Sequence, residues 1–576
     1  MARETYLIIS GWGPIFGRLI RGASLCATTI VALMTSALSS YIAIADERPV
    51  ARATSAISQS YIPPKVAAKA ATKSSLVPRL SKGSYGMRAI SLPKTVQQKL
   101  SDNQIGYGRE LESLDTPQKF DFLPWEPTTD GGYVKGVQVR STAAQALRLG
   151  LWVEDIPLEA EVSFYSSANT AVTVVPAATI LESIGRNLSA GDPEETARFY
   201  WSPVMMGEVI NFEVYLPAGV DTSEVMLAVP KISHISGSMS LSMSTRESAN
   251  AGNTSSIGPT RSLSCQKDHQ CDTSGQTQAT AVGSMWYTTE AGATAVCTGT
   301  LLNDLDTSTI VPYFISANHC ISSQSVASNL TVYFNYLSNS CGSTDYTFDE
   351  HLGGATLLYK TENTDTAFFR LNSTPAVSVV LAGWNASIPD PFDAVWGIHH
   401  PAGDMKKISY GNIWFHQTCS ETTPPNYTCV STSGTPTYLG INWVSDGGLT
   451  EGGSSGSGLF WGTNRQLIGT LRGGTTPTCG VTQTSNYGVF ATPYLQSLYQ
   501  WLGVASGSTT CGQASALMTS RSYLSSEYEL CEGTSTVAAR TSVRVESGAT
   551  VRYKAPQVSL GAGFSVAQGA EFSVAN

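Results

Sequence analysis

The residues able to break an acyl bond fall into three short stretches of this sequence. The first is Gly452-Gly453-Ser454-Ser455-Gly456-Ser457-Gly458. Glycines around a serine let the backbone turn sharply and bring its N–H groups close to a reacting carbonyl. Alone, such a run also has the composition of a flexible loop, so the order of its partners decides. A serine in a G-x-S-x-G elbow is followed along the chain by its histidine. Here the histidines lie at 234, 269, 319, 351, 399, 400 and 416, all ahead of the serines. The order His, Asp, Ser remains.

The second stretch, Val311 to Cys320, is an apolar run ending in His319, with Cys320 next. A disulfide at Cys320 would pin the imidazole, and Cys297 is the obvious partner upstream. The loop closed is about 24 residues, worth roughly 3 kcal/mol on the chain-entropy model. The third stretch, Thr364 to Leu371, opens with Asp365 ahead of Ala367, Phe368 and Phe369. An apolar strand tolerates a charge there only if the charge has a partner. Asp349, Asp390 and Asp404 lack such a strand, and Asp304 and Asp306 lie in a polar loop. His399 and His400 are adjacent, so on a strand they face opposite sides and cannot easily share an ion. No metal and no cofactor is expected.

The elements that must hold these groups are strands. The chain has 576 residues, 42% apolar and only 14% charged, with 52 glycines. That balance suits an extracellular β protein. The net charge is −9, from 35 basic and 44 acidic residues. With no basic patch, a nucleic-acid partner is excluded. Arg18 and Arg21 precede an apolar, small-residue stretch ending in Ala43-Ile44-Ala45, which reads as a signal peptide over residues 1–45. The threonines and serines within it make a poor bilayer span. Cys26 leaves with it. The ten remaining cysteines, at 265, 271, 297, 320, 341, 419, 429, 479, 511 and 531, all follow residue 264 and form no C-x-x-C. An even count in an exported chain implies up to five disulfides.

Residues 46–82 lack periodicity and read as a linker. Residues 83–245 read as a β-rich, sandwich-like segment. Leu147, Leu149, Leu151 and Val153 alternate there, as do Leu158, Ala160, Val162 and Phe164; Ile210, Phe212, Val214 and Leu216; and Val225, Leu227 and Val229. Residues 246–262 are a polar joint ending near Arg261, suited to cleavage. Residues 263–503 hold the candidate chemistry. Residues 504–535 read as a linker with a disulfide. The tail, 536–576, has a weak glycine-cornered repeat that suggests a small β stack.

The strings CTGTLL, FISANHC, TDTAFFRL, AGW, GIHHPAGDMKKIS, GGLTEGGSSGSG and LIGTLRGG, taken in this order and spacing, resemble the secreted bacterial lysyl-endopeptidase branch of the trypsin-like serine proteases. The resemblance covers about 263–503, and 83–245 is similar to that branch's prosegment. It implies an all-β fold with a double β-barrel. It implies His319 as general base, Asp365 as its orienter, Ser455 as nucleophile, and the N–H groups of Gly453 and Ser455 as oxyanion hole. It implies the disulfides Cys265–Cys479, Cys271–Cys341 and Cys297–Cys320, after which Cys419 pairs with Cys429 and Cys511 with Cys531. The partners are then protein or peptide substrates and the chain's own prosegment, with a monomer expected.

Two departures from the resembling proteins matter. Animal-type zymogens pair a new N-terminal amine with an aspartate just before the nucleophile, where this chain has Ser454. No such pair is expected, and the prosegment is expected to act as folding aid and steric plug. The specificity pocket would be lined by Leu449, Arg472 and Ser485, without the carboxylate of the branch. Lysine specificity is therefore doubtful. An acidic side chain read by Arg472 or a neutral one against Leu449 is expected instead. The other readings are an inactive protease fold kept for binding or adhesion, and an esterase.

Overall fold

A computed structural model describes residues 55–63, 87–94, 100–166, 169–236, 262–503 and 515–575, apart from short stretches at 95–99, 102, 273–274, 307–308, 423–425, 445 and 463 and several between 519 and 563. The expected signal peptide, most of both the first linker and the joint, and Cys511 with its expected pairing to Cys531 lie outside the described residues.

The alternating apolar sets of the N-terminal segment become strands of two sheets. In one, Met226–Ile235 lies between Ala146–Asp155 and Gly106–Glu110; in the other, Val209–Leu216 lies between Tyr133–Ser141 and Glu161–Ser166. Leu147, Leu149 and Leu151 from the first and Phe164, Ile210, Phe212 and Val214 from the second meet in one core. Leu158 is an exception. It precedes its strand and stands exposed. The all-β reading also missed a helix, Ala177–Ser189. Its buried stripe is Ala177, Ile180 and Ile184, a helical spacing the sequence does contain.

This segment joins residues 262–503 through an isolated antiparallel bridge between Gln104 and Ala295. Ile105 N–H donates to Thr294 C=O at 2.9 Å, and Val296 N–H donates to Asn103 C=O at 2.8 Å. Beside this seam the buried Arg148 guanidinium donates from Nε to Ser202 C=O at 2.7 Å, and from its terminal nitrogens to Thr288 Oγ1 at 2.9 Å and Asn329 C=O at 3.1 Å. A second strand crosses from the stretch read as linker. Gln59–Tyr61 pairs antiparallel with Val379–Leu381, and Ala56 exchanges two backbone hydrogen bonds with Trp384. That part of the linker reading is therefore corrected. Ala56 buries in the core of residues 262–503, a small residue that composition alone does not distinguish from its neighbours.

Within 262–503 we number the strands of the two main sheets. They are β1 Val282–Thr288, β2 Thr294–Leu302, β3 Tyr313–Ala317, β4 Thr331–Ser338, β5 Tyr346–His351, β6 Ala355–Thr361, β7 Thr366–Leu371, β8 Ala394–His399, β9 Lys407–Glu421, β10 Tyr438–Trp443, β11 Gly458–Trp461, β12 Leu467–Gly474 and β13 Thr484–Val489. The first sheet runs β5-β4-β1-β2-β3-β7-β6. The second runs β9-β8-β11-β12-β13-β10 and returns to β9, a closed six-stranded barrel. The fold is all-β, as expected. Disulfides join Cys265 to Cys479, Cys271 to Cys341, Cys297 to Cys320 and Cys419 to Cys429, the four expected pairings that fall on described residues.

The C-terminal unit is a stack of three parallel sheets, each with one strand from three successive turns of chain. In one sheet Ser515 pairs with Thr536 and Thr536 with Gln557, a step of 21 residues (536 − 515 and 557 − 536). Val537, Val545, Val551 and Tyr553 fill its interior. The first turn starts at Ser515, inside the stretch read as a second linker, so the repeat is longer than its glycines suggested.

Candidate active site

Register between β3 and β7 brings His319 to Asp365. Ala317 stands opposite Thr366. One step beyond the ladder, Asn318 N–H donates to Asp365 C=O at 2.9 Å. Asp365 turns there with φ +49°, a conformation that a short polar side chain tolerates. Its Oδ1 accepts His319 N–H at 2.8 Å, and its Oδ2 lies 2.6 Å from His319 Nδ1. A buried carboxylate on Nδ1 holds the tautomer with the proton there and leaves Nε2 as the base. The Cys297–Cys320 bridge fixes the next residue to β2.

Thr298, the residue after Cys297, fixes the serine loop. Its N–H donates to Ser455 C=O at 2.8 Å and its hydroxyl to Gly453 C=O at 2.9 Å. Ala402 N–H takes Gly452 C=O at 2.5 Å. With these three carbonyls tied back, the N–H groups of Gly453 and Ser455 have no acceptor among the described residues. Two glycines make the packing possible. Gly453 has φ +87°, and an added Cβ would lie 2.9 Å from Gly403 N. Gly456 has φ +79°, and an added Cβ would lie 2.0 Å from Ser316 Oγ and 2.7 Å from Ala317 N. The loop thus lies directly on the end of β3 that presents His319. Ser455 Oγ forms no hydrogen bond to His319 in this structure. Catalytic hydrogen bonds are often long without substrate and tighten when it binds.

Ser454 faces the other way, into the barrel. Its Oγ accepts Glu451 N–H at 3.1 Å and lies 2.8 Å from His399 Nδ1; His399 Nε2 lies 3.0 Å from Ser409 Oγ, which donates to Leu449 C=O. One direction of donation satisfies every atom: Ser454 O–H to Nδ1, Nε2–H to Ser409, Ser409 O–H to Leu449. This requires neutral His399, and burial holds its pKa down at about 3. His400 faces away from His399. It stacks on Tyr336, with Nδ1 3.0 Å from Asp404 C=O, and burial keeps it neutral too.

The three expected pocket residues do not act alike. Leu449 is buried. Ser485 is buried and accepts Trp443 Nε1–H at 2.9 Å while sharing a 2.8 Å hydrogen bond with Thr450. Arg472 is committed elsewhere. Its Nη2 is 2.8 Å from Glu421, its Nε is 3.7 Å from Asp365 Oδ2, and its guanidinium lies 4.8 Å above the Tyr427 ring. It flanks the His319–Asp365 pair and does not wait for an acidic substrate. Sequence reading missed this because Glu421 and Tyr427 come from the end of β9 and the strand after it. It also missed Thr298, whose only signal was its place after Cys297.

Residues 86–236 match the family described as lysyl endopeptidase N-terminal domain, and residues 260–491 match lysyl endopeptidase, C-terminal domain. A curated lysyl endopeptidase of Pseudomonas aeruginosa is 30% identical over 388 residues, 64% of this chain and 75% of the relative. Among solved structures, the active form of the Rv3671c protease from M. tuberculosis aligns with TM-score 0.28 and 15% identity over 44% of this chain and 96% of its own. The MamO protease domain from Magnetospirillum magneticum aligns with TM-score 0.26 and 12% identity, over 38% and 96%.

The buried histidines make a prediction about acid. Burial holds His399 at about 3 and His269 and His351 at about 4, with His400 well below its usual value. Unfolded, each titrates near 6.5. Below that pH the unfolded chain binds protons that the folded chain does not, so stability is full above about 6.5 and falls toward about 4. The loss is up to about 1.4 kcal/mol per pH unit for each histidine. The thermal midpoint should drop between about pH 7 and about pH 4.5, and His399→Gln should make the drop shallower. A flat or rising midpoint over that window would contradict this account.

Proposed function

This chain belongs to the lysyl endopeptidase family and is a serine endopeptidase; from that premise we propose that it is a secreted bacterial enzyme made as a pre-pro-protein, with Ser455, His319 and Asp365 as its catalytic triad. One observation carries the triad reading. The N–H groups of Gly453 and Ser455 have no acceptor among the described residues, and their loop packs on the end of the strand that leads to a His–Asp pair 2.6 Å apart.

The steps follow from those atoms. Ser455 Oγ attacks the scissile carbonyl carbon while His319 Nε2 takes its proton. The negative charge that develops on the carbonyl oxygen is met by Gly453 N–H and Ser455 N–H. The carbonyls that share a peptide plane with these donors, Gly452 C=O and Ser454 C=O, are already held by Ala402 N–H and Ser457 N–H, so the donors need no rearrangement as the charge appears. Asp365 stabilises the imidazolium and holds the ring. His319 then protonates the leaving amine, and water repeats the sequence on the acyl-enzyme. Ser455→Ala should lower kcat by at least about 10⁴-fold with the fold retained, and a fluorophosphonate probe should label Ser455 in the activated protein. Loss of activity in Ser454→Ala with activity kept in Ser455→Ala would overturn the assignment.

For specificity we propose a neutral side chain, either apolar or small and polar, before the cleaved bond. The expected pocket side chains include Leu449 and Ser485, with Thr450 hydrogen-bonded to Ser485. None is charged. Arg472 already has two carboxylates. Glu451, the nearest acid in sequence, spends Oε1 on Leu263 N–H and Gln266 Nε2. A lysine ammonium in such a pocket would lack a partner, at a cost of several kcal/mol. A peptide-library cleavage profile should show neutral residues ahead of lysine by at least about tenfold. Dominant cleavage after lysine would reverse this reading.

A further inference from the structure

Ser262, the one described residue of the joint, is buried against a carboxylate. Its Oγ donates to Asp404 Oδ2 at 2.5 Å, and its backbone N–H donates to the same oxygen at 3.4 Å. The segment that follows is fixed as well. Leu263 N–H and Gln266 Nε2 donate to Glu451 Oε1 at 2.9 and 2.7 Å, and Cys265 is bonded to Cys479. Asp404 is buried, and among the described residues no basic side chain pairs with it. Among the described residues its Oδ1 accepts only Met405 N–H. Lys406, two residues on, gives its ammonium to Ala279 C=O. A buried carboxylate with hydrogen bonds but no cation lacks the partner that its environment calls for.

We propose that Asp404 is a receptor for a primary ammonium, and that its ligand is the α-amino group of Ser262 set free by hydrolysis of the Arg261–Ser262 bond. Water adds across that bond. The new carboxylate leaves on Arg261, and the new amine on Ser262 takes up a proton. Ser262 N is already 3.4 Å from Asp404 Oδ2, so cleavage changes the charge at the site and not the position of the residue. The expectation that no such pair forms rested on Ser454 standing just before Ser455 and on the lack of an Ile-Val-Gly-Gly start. Here the acid comes from the turn after β8.

The pair acts on the oxyanion loop through that turn. Asp404 N–H closes the turn on Pro401 C=O at 2.8 Å, Gly403 N–H donates to His400 C=O at 3.1 Å, and Ala402 N–H holds Gly452 C=O. A trans peptide points its N–H opposite to its C=O. The grip on Gly452 C=O therefore aims Gly453 N–H away from the turn. An ammonium on Asp404 tightens the turn that provides this grip. The inference rests on the protease reading of Ser455, so its test includes an arm that needs no catalysis.

The whole chain is prepared as Ser455→Ala with residues 257–261 replaced by an enteropeptidase site. In one version the cut leaves Ser262 first, and in the other it leaves one extra arginine ahead of Ser262. Both are folded intact, cut, and checked by mass spectrometry. The Ser262-first protein should melt a few degrees higher, and Asp404→Asn should abolish the difference. With Ser455 restored, the Ser262-first protein should have at least about tenfold higher kcat/KM, again only with Asp404 present. Equal midpoints in the inactive pair, or a difference that survives Asp404→Asn, would overturn the ammonium site. Loss of the fluorophosphonate label with the midpoint difference intact would instead count against the catalytic reading.

Discussion

A carboxylate taken out of water has to be paired and hydrogen-bonded, and Asp365 meets that demand in a way that organises the site around it. Its backbone carbonyl holds Asn318, its Oδ1 holds the His319 N–H, and its Oδ2 lies on the His319 ring. Arg472 flanks the same oxygen and is itself positioned by Glu421 and by the Tyr427 ring. The imidazole is thus held from backbone and side chain at once. One strand register, β3 on β7, sets both contacts. A one-residue slip would turn every side chain of β7 to the opposite face and separate the pair.

The loop that carries Ser455 is held by a different device. Three carbonyls of the serine loop are tied back by Thr298 and Ala402, and a neutral buried histidine, His399, satisfies Ser454 behind it. Where an ion pair could have stood beside Ser455, the chain uses a serine–histidine–serine relay of neutral groups. Neutral hydrogen bonds avoid the desolvation cost of buried charge. The relay also makes the loop dependent on a histidine that must stay unprotonated, which ties the geometry of the site to pH.

Much of this was legible from residues alone. An apolar run into His319-Cys320, an aspartate opening a strand, and glycines around the serines carry their chemistry locally, and the structure brings those stretches together. The four disulfides on described residues followed the family resemblance. What escaped notice depends on contacts between distant segments. Arg472 looked like a pocket residue because its neighbours in sequence are. Its partners Asp365, Glu421 and Tyr427 are 45 or more residues away. Ala56 and Gln59–Tyr61 looked like linker because a three-residue strand has no room for periodicity. The helix Ala177–Ser189 was missed although Ile180 and Ile184 mark its buried face, since the strands around it set the expectation.

The central claim is that Asp365 acts through His319 to poise Ser455. Asp365→Asn keeps the shape of the side chain and removes the charge that holds the tautomer. Steady-state kinetics of the cleaved protein, set beside its thermal midpoint, give the most direct test. The account predicts that kcat falls by about 10⁴-fold while the protein still melts cooperatively within a few degrees of the parent. Activity within about tenfold of the parent would mean that the 2.6 Å contact between Asp365 and His319 is structural and that the chemistry is oriented by another group.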